Sequence, residues 1–304
     1  MLSVCIPAYN EEKMIEKASE VVDKILSDAE IPHEIIFIDD GSKDDTWNMI
    51  QKASESYKSV RGISFSRNFG KEAAIFAGLS EMKGDCCVVM DCDLQHPPVK
   101  IIEMYNLWKQ GYEVIEGIKS DRGQESAKHG FAAHIFYSIM SKETHSDMQN
   151  TSDFKLLDKK AVEAILQLPE RRTFFRALSG WVGFRTIRIY YEVQEREAGS
   201  SKWSRKALIK YAASNITSFT TIPMQAVTLM GVLIFLFSIV TAIEALIEYI
   251  MGKSAPGFTT VIIMLGFIGS IIMMSLGVIG YYIARIYEEI KHRPRYIVAR
   301  KTKD

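Results

Sequence analysis

The chain has 304 residues, with 37 Lys+Arg against 37 Asp+Glu and 47% hydrophobic residues. That length fits one large domain or two modest ones, and the composition excludes a disordered or collagen-like chain. The zero net charge is unevenly spread: residues 1–201 carry 25 basic and 32 acidic side chains, residues 202–304 carry 12 and 5. A nucleic-acid-binding domain would gather positive charge on its folded core, so no nucleic-acid partner is expected. An acidic head followed by a basic, apolar second part suits a protein seated at a membrane.

Met1 runs straight into an apolar strand-like segment, so no cleaved signal peptide is expected. Residues 1–120 then alternate two patterns. Strands are expected at 2–6, 34–38, 60–65, 86–90 and 112–115, and helices near 11–29, 44–57, 71–82 and 99–110. Strand–helix alternation implies βαβ units, an α/β fold and a mainly parallel, Rossmann-like sheet. Cys5, Cys86, Cys87 and Cys92 lie in or beside the strand-like runs without zinc-ligand spacing, and read as buried free thiols.

In parallel sheets ligands bind beyond the carboxyl ends of the strands. Polar groups follow each expected strand directly: Pro7 to Glu11, Asp39 to Ser42, Ser66 to Lys71, Asp91 to Gln95, and Gly117 to Lys119. Asp91 and Asp93 stand two apart at an extended strand end, which turns both carboxylates to one side. Such a pair repels itself unless a cation intervenes. Hard oxygen donors with no Cys or His partner suit Mg²⁺ or Mn²⁺, and Gln95 continues the alternation with a neutral oxygen. No G-x-G-x-x-G or P-loop motif follows a strand, which disfavours dinucleotide cofactors and NTP hydrolysis; a nucleoside diphosphate held through metal and acidic side chains fits better.

Residues 202–222 place Lys202, Arg205, Lys206 and Lys210 at three- and four-residue steps, the pattern of an amphipathic helix in the headgroup region. Beyond it, residues 211–243 and 254–284 contain no charge. Each exceeds the roughly 20 apolar residues a helix needs to cross a bilayer. Two transmembrane helices are therefore expected within 223–284, joined by a short outer loop, with a basic tail at 285–304. The cations flanking both spans put the head and both termini in the cytoplasm, making a multi-pass protein of the cell membrane. Gly266, Gly269, Gly277 and Gly280 would allow close helix packing, so a homo-oligomer is possible.

Taken together, VCIPAYNEE (4–12), IIFIDDGSKDDT (35–46), FSRNFGKEAAIFAGL (65–79) and VMDCDLQHPP (89–98) resemble family 2 glycosyltransferases of the GT-A fold. SDFKLL (152–157), REAGSSKWS (196–204) and RPRYIV (293–298) resemble its polyprenyl-phosphate branch, which includes bactoprenol glucosyltransferases and dolichyl-phosphate mannosyltransferase. The resemblance implies a GT-A head over 1–201. It implies that Pro7, Tyr9, Glu11, Asp39, Asp40, Lys71 and Asp91 hold the nucleotide sugar, and that Asp91, Asp93 and Gln95 hold the metal. Asp153, with Asp93, would lie at the reacting centre. Lys119, Arg122, Arg196, Ser201 and Lys202 would serve the acceptor phosphate. Relatives often carry Arg at position 119 and Gly at position 152, and a lysine is a point charge rather than a bidentate fork.

The implied reaction is inverting, metal-dependent transfer of a hexose from a nucleotide-diphospho-sugar, expected to be a UDP-sugar, to a polyprenyl phosphate, expected to be undecaprenyl phosphate. GDP-mannose-dependent transfer of the dolichyl type is the nearest alternative. A processive polysaccharide synthase would need a Q-x-x-R-W motif, which the sequence lacks. A non-catalytic membrane subunit binding nucleotide sugar would not need the two aspartates with a metal.

Overall fold

A computed structural model of the protein describes residues 1–120, 151–169, 174–192, 222–251 and 257–302. The chain divides into two units, one of residues 1–212 with 294–304 and one of residues 213–293.

The first unit is built on an eight-stranded sheet. In chain order its described elements are β1 (Leu2–Ala8), α1 (Ile15–Asp28), β2 (His33–Asp39), α2 (Thr46–Ser56), β3 (Val60–Phe65), α3 (Lys71–Glu81), β4 (Cys86–Val89), α4 (Lys100–Lys109), β5 (Val114–Lys119), β6 (Thr151–Asp158), α5 (Lys159–Gln167), α6 (Phe175–Trp181), β7 (Thr186–Tyr191) and β8 (Val298–Lys301). The strand order is β7-β5-β6-β4-β1-β2-β3-β8. Strands β1, β2, β3 and β4 are parallel neighbours, as are β5 and β7, whereas β6 and β8 run antiparallel to their partners.

The strand cores are apolar on both faces because helices cover both. Leu2, Val4 and Ile6 join Ile15, Ala18, Val22 and Leu26 of α1 and Trp47 and Ile50 of α2 in one core. Cys5, one residue out of phase, faces α3 instead. A Cβ at Gly78 of α3 would stand 2.0 Å from the Cys5 Sγ, so glycine there lets the helix lie on the strand. All four cysteines are buried free thiols, and burial raises the Cys86 thiol to about 12.

The expected alternation holds through α4. Strand β5 differs: it extends to Lys119, so Gly117 and Ile118 lie within it rather than after it. Gly117 is required by crowding, since a Cβ would meet the Phe154 ring and carbonyl at 2.8 Å. Strand β6 inserts antiparallel between β4 and β5, making the sheet mixed. The stretch read as a basic tail also contributes structure: β8 pairs with β3 and closes that edge of the sheet.

The second unit contains α7 (Ile222–Ile250) and α8 (Phe258–Ile290). Within α8, residues Phe267–Ile290 are long and apolar enough to cross a membrane; in α7 the apolar run is the shorter Val227–Thr241. Leu233, Leu236, Phe237 and Val240 of α7 and Leu265, Ile272, Met273 and Leu276 of α8 are exposed. The amphipathic helix expected at 202–222 lies outside the described residues apart from Ile222.

Candidate active site

Three strands bring the central acidic residues together. In the β4–β6 register, Cys86 pairs with Asp158 and Val89 with Lys155. Two residues further along, Asp91 just beyond β4 comes opposite Asp153 of β6. Lys71, the first residue of α3, reaches between them: its Nζ lies 2.6 Å from Asp91 Oδ1 and 2.7 Å from Asp153 Oδ2. Arg176 of α6 closes the other side, donating from Nε to Asp153 Oδ1 at 2.6 Å and from Nη2 to Oδ2 at 3.1 Å.

Asp153 is buried, which by itself disfavours its charge. The Arg176 guanidinium and the Lys71 ammonium outweigh that cost and hold its carboxyl well below the usual carboxylate range. Burial likewise opposes the charge on Lys71, and Asp153 and Asp91 overcome it, so the ammonium stays protonated well above neutrality. Asp91 follows the same pattern: burial opposes ionisation, and the Lys71 ammonium lowers its pKa.

The loop after β4 shapes the rest. Leu94 has φ 56°, and the backbone N–H of Gln95 donates to Asp93 Oδ1 at 3.2 Å, a tight turn that fixes the direction of Asp93. The N–H of Asp91 donates to His96 Nδ1 at 3.1 Å. That bond requires an unprotonated Nδ1, and burial lowers the pKa of His96, so the ring is neutral with its proton on Nε2. His96 stacks on Phe154 at 4.9 Å and meets Tyr191 edge-on at 5.7 Å. Lys119, at the end of β5, is lowered by burial and by Arg176, with Asp91 and Asp153 opposing.

Asp39 and Asp40 brace the neighbouring loops. Asp39 accepts from the Ser42 N–H at 2.9 Å and from Ser64 Oγ at 2.7 Å. Asp40 accepts from the N–H groups of Phe69 (2.6 Å) and Gly70 (2.9 Å), at the start of α3. Gly41 (φ 65°) turns against the Arg67 backbone, where a Cβ would stand 2.4 Å from a carbonyl carbon. Both aspartates are buried. The backbone N–H of Asn10 and of Glu11 donate to Ser42 Oγ and Thr46 Oγ1 at 2.9 Å, tying the loop after β1 to the loop after β2. Pro7, Tyr9 and Glu11 are half-buried on that rim.

The structure therefore brings Lys71, Asp91 and Asp153 into direct contact, with Asp93, Gln95 and Lys119 on adjoining segments. Arg122, Arg196, Ser201 and Lys202 lie outside the described residues. Among the described residues no group of three or more His, Cys, Asp or Glu gathers closely enough to hold a metal ion alone. Sequence reasoning missed Arg176, and also Glu72, whose Oε2 accepts from the Phe175 N–H at 2.8 Å. It quoted His96 within a motif but gave it no part. For Arg176 and Glu72 no local signal existed, since their partners lie 23 and 103 residues away.

The mixed α/β sheet, with acidic and basic groups gathered at the carboxyl ends of its parallel strands, has the GT-A fold. Residues 3–166 match the model described as glycosyl transferase family 2, and the chain belongs to that family and is a glycosyltransferase. It is 37% identical over 300 residues to the putative glycosyltransferase CsbB of Bacillus subtilis, covering 98% of this chain and 91% of that protein. It is 35% identical over 299 residues to the bactoprenol glucosyl transferase of Shigella phage SfV, covering 98% and 97%. Among solved structures it resembles glucosyl-3-phosphoglycerate synthase from Mycobacterium tuberculosis in complex with Mn²⁺ and UDP-glucose, at TM-score 0.49 and 18% identity, over 71% of this chain and 76% of that one.

Proposed function

We propose that the protein transfers a hexose from a nucleotide-diphospho-sugar, a UDP-sugar, to a polyprenyl phosphate of the undecaprenyl type, with inversion, at the cytoplasmic face of a membrane. The observation that carries this reading is the end-to-end similarity to a bactoprenol glucosyl transferase, which runs through α7 and α8 as well as the head. A lipid phosphate is costly to lift from the interface, at about 0.8 kcal/mol per extracted methylene. A crevice carried on the same chain as an apolar helix removes the need to lift it. Two spans, α7 and α8, with head and termini on the cytoplasmic side, complete the proposal; the flanking cations support that orientation.

The site chemistry agrees with a phosphate acceptor. Asp153 is ionised and clamped by two cations, which makes it a poor proton acceptor. A phosphate monoester, with its second pKa near 6, is already largely dianionic at neutral pH and needs no strong base. Asp153 therefore acts through position, holding Lys71 and Arg176 where anionic phosphates collect. Asp91 and Asp93, with the Gln95 oxygen, would supply hard oxygen donors suited to Mg²⁺ or Mn²⁺, and the pairing of Asp91 with the Lys71 ammonium supports a carboxylate that takes a positive partner. One or two carboxylates completed by substrate phosphates is the usual way Mg²⁺ is held. When bound, the ion would offset charge on the departing diphosphate. Pro7, Tyr9 and Glu11 are assigned to the nucleoside, with Asp39 and Asp40 shaping its loops. Lys119, Arg122, Arg196, Ser201 and Lys202 are assigned to the acceptor phosphate.

The test is to incubate the full-length protein in lipid with a panel of nucleotide sugars and undecaprenyl phosphate, then identify the lipid product. A metal-dependent glycosyl-phosphoryl-undecaprenol, lost on adding EDTA and in Asp91→Ala, is expected. Equal turnover with no lipid phosphate present would overturn the acceptor assignment.

A further inference from the structure

Lys71 holds two carboxylates whose situations differ. Asp153 is buried and has Arg176 as a second, bidentate partner. Asp91 is a third exposed, and among the described residues Lys71 is its ion-pair partner. Withdrawing the ammonium would leave Asp153 compensated and Asp91 bare. The Lys71 side chain is 39% exposed, on a flexible four-carbon stem, so its ammonium has solvent on one side into which it can swing when another cation takes Asp91. Its backbone is fixed, because Asp40 holds the Phe69 and Gly70 N–H groups just before it. Any exchange of partner is thus a side-chain swing from a fixed pivot.

Resting on the reading that a divalent ion binds at Asp91 and Asp93, we propose that Lys71 is an internal counter-cation at Asp91. It neutralises the carboxylate before the ion arrives, yields it to the ion, and turns to the diphosphate of the donor. Lys71 holds Oδ1 of Asp91, and a divalent ion on either oxygen of that carboxylate would stand within a few ångströms of the ammonium and repel it, so metal and ammonium compete for Asp91. The diphosphate offers the displaced ammonium a new partner. Metal and diphosphate therefore each strengthen the binding of the other through Lys71, as linkage requires.

The test uses the full-length chain in lipid nanodiscs. Mn²⁺ affinity is read by electron paramagnetic resonance with and without UDP, in the wild type and in Lys71→Met, whose folding is checked by circular dichroism. Lys71→Met is expected to bind Mn²⁺ alone about tenfold tighter than wild type, with a smaller further gain from UDP. Loss of a nearby positive charge alone would tighten Mn²⁺ binding equally with and without UDP; the reduced gain from UDP is what marks the handover. A second measurement needs no variant: labelling of Lys71 by an amine-reactive ester, quantified by mass spectrometry, should rise several-fold with Mn²⁺ alone and fall again when UDP is added. Equal or weaker Mn²⁺ binding in folded Lys71→Met, or labelling indifferent to Mn²⁺, overturns the inference and leaves the metal reading standing. Absence of Mn²⁺ binding in both proteins, even with UDP, overturns the metal reading and this inference together.

Discussion

Arg176 and Asp153 form a two-point contact, Nε to Oδ1 and Nη2 to Oδ2, that joins helix α6 to strand β6 at the centre of the site. A guanidinium fork matches a carboxylate in a way an ammonium cannot. Arg176→Lys should therefore keep the charge and lose much of the function, with turnover down on the order of tenfold; Arg176→Ala should fall further. Because Arg176 helps hold the Asp153 carboxyl below its ordinary range, its removal raises that pKa. The acidic limb of the pH–rate profile should then move to higher pH in Arg176→Ala. An unmoved limb with the same loss of rate would assign Arg176 a role outside Asp153.

Glu72 behaves in the opposite sense. Burial, followed by the charge of Asp153, pushes its carboxyl up to about 7. An unfolded glutamate titrates near ~4.3. Between those values the folded chain keeps a proton that the unfolded chain has lost, so stability falls as pH rises through the window. Glu72→Gln keeps an acceptor for the Phe175 N–H and removes the charge. It should flatten the decline in melting temperature between about pH 4.5 and 7 and leave the protein more stable than wild type at pH 8. At about 1.4 kcal/mol per pKa unit, the gain is on the order of 1–3 kcal/mol. Melting curves followed by tryptophan fluorescence across that range decide the matter.

The sequence was readable where one signal dominated. Four βα repeats could be located because short apolar strands such as residues 86–89 stand between longer helical stretches and end in polar groups. Strand β6 was hidden because Lys155 sits in its middle, and a charged residue in a central strand looks like a break until Glu116 is found beside it on β5. Strand β5 looked short because Gly117, needed for the approach of Phe154, mimics a turn. Residues 298–301 read as a basic tail because an edge strand with two cations in four residues carries little apolar signal. At the site, the place of Asp91 beyond β4 was legible from position alone, whereas its contact with Lys71 beside Asp153 was not. Nor was the bracing by Asp39 and Asp40, since a carboxylate that ties loops and one that binds a ligand look identical in sequence.

Lys155 is fully buried, and its Nζ bonds to Glu116 Oε1 and Ser179 Oγ at 2.7 Å and to the Arg176 carbonyl at 3.3 Å. It links β5 and β6 to the helix that carries Arg176. Lys155→Met would strand a buried Glu116, which among the described residues keeps the more distant Arg188, at 3.3 Å, to offset it. Removing one member of a buried pair costs about 3–5 kcal/mol; the remaining arginine should reduce that to about 2–4 kcal/mol. The double change Lys155→Met with Glu116→Leu replaces both charges by apolar groups and should recover most of the loss. A double variant as unstable as Lys155→Met alone, in thermal melts of the full chain, would refute the stranded-charge account.

Residues 294–302 hold the head through a set of contacts distinct from its core. Strand β8 pairs with β3, and the Thr302 N–H donates to the Gly62 carbonyl at 2.9 Å. Arg295 donates to the Leu168 carbonyl at 2.6 Å and lies over the Phe76 ring at 4.5 Å. Tyr296 stacks on Phe65 at 5.0 Å, and Lys301 pairs with Glu81 at 2.7 Å. Removing residues 294–304 would bare the β3 edge, where unpaired N–H and C=O groups invite pairing with another chain. The truncated protein should melt several degrees lower and self-associate in size-exclusion chromatography. Arg295→Ala, which leaves the strand in place and removes one charged hydrogen bond and one cation–π contact, should lower the melting temperature by a smaller amount without promoting association. If truncation left both melting and association unchanged, β8 would be a passenger on the sheet rather than its edge protection.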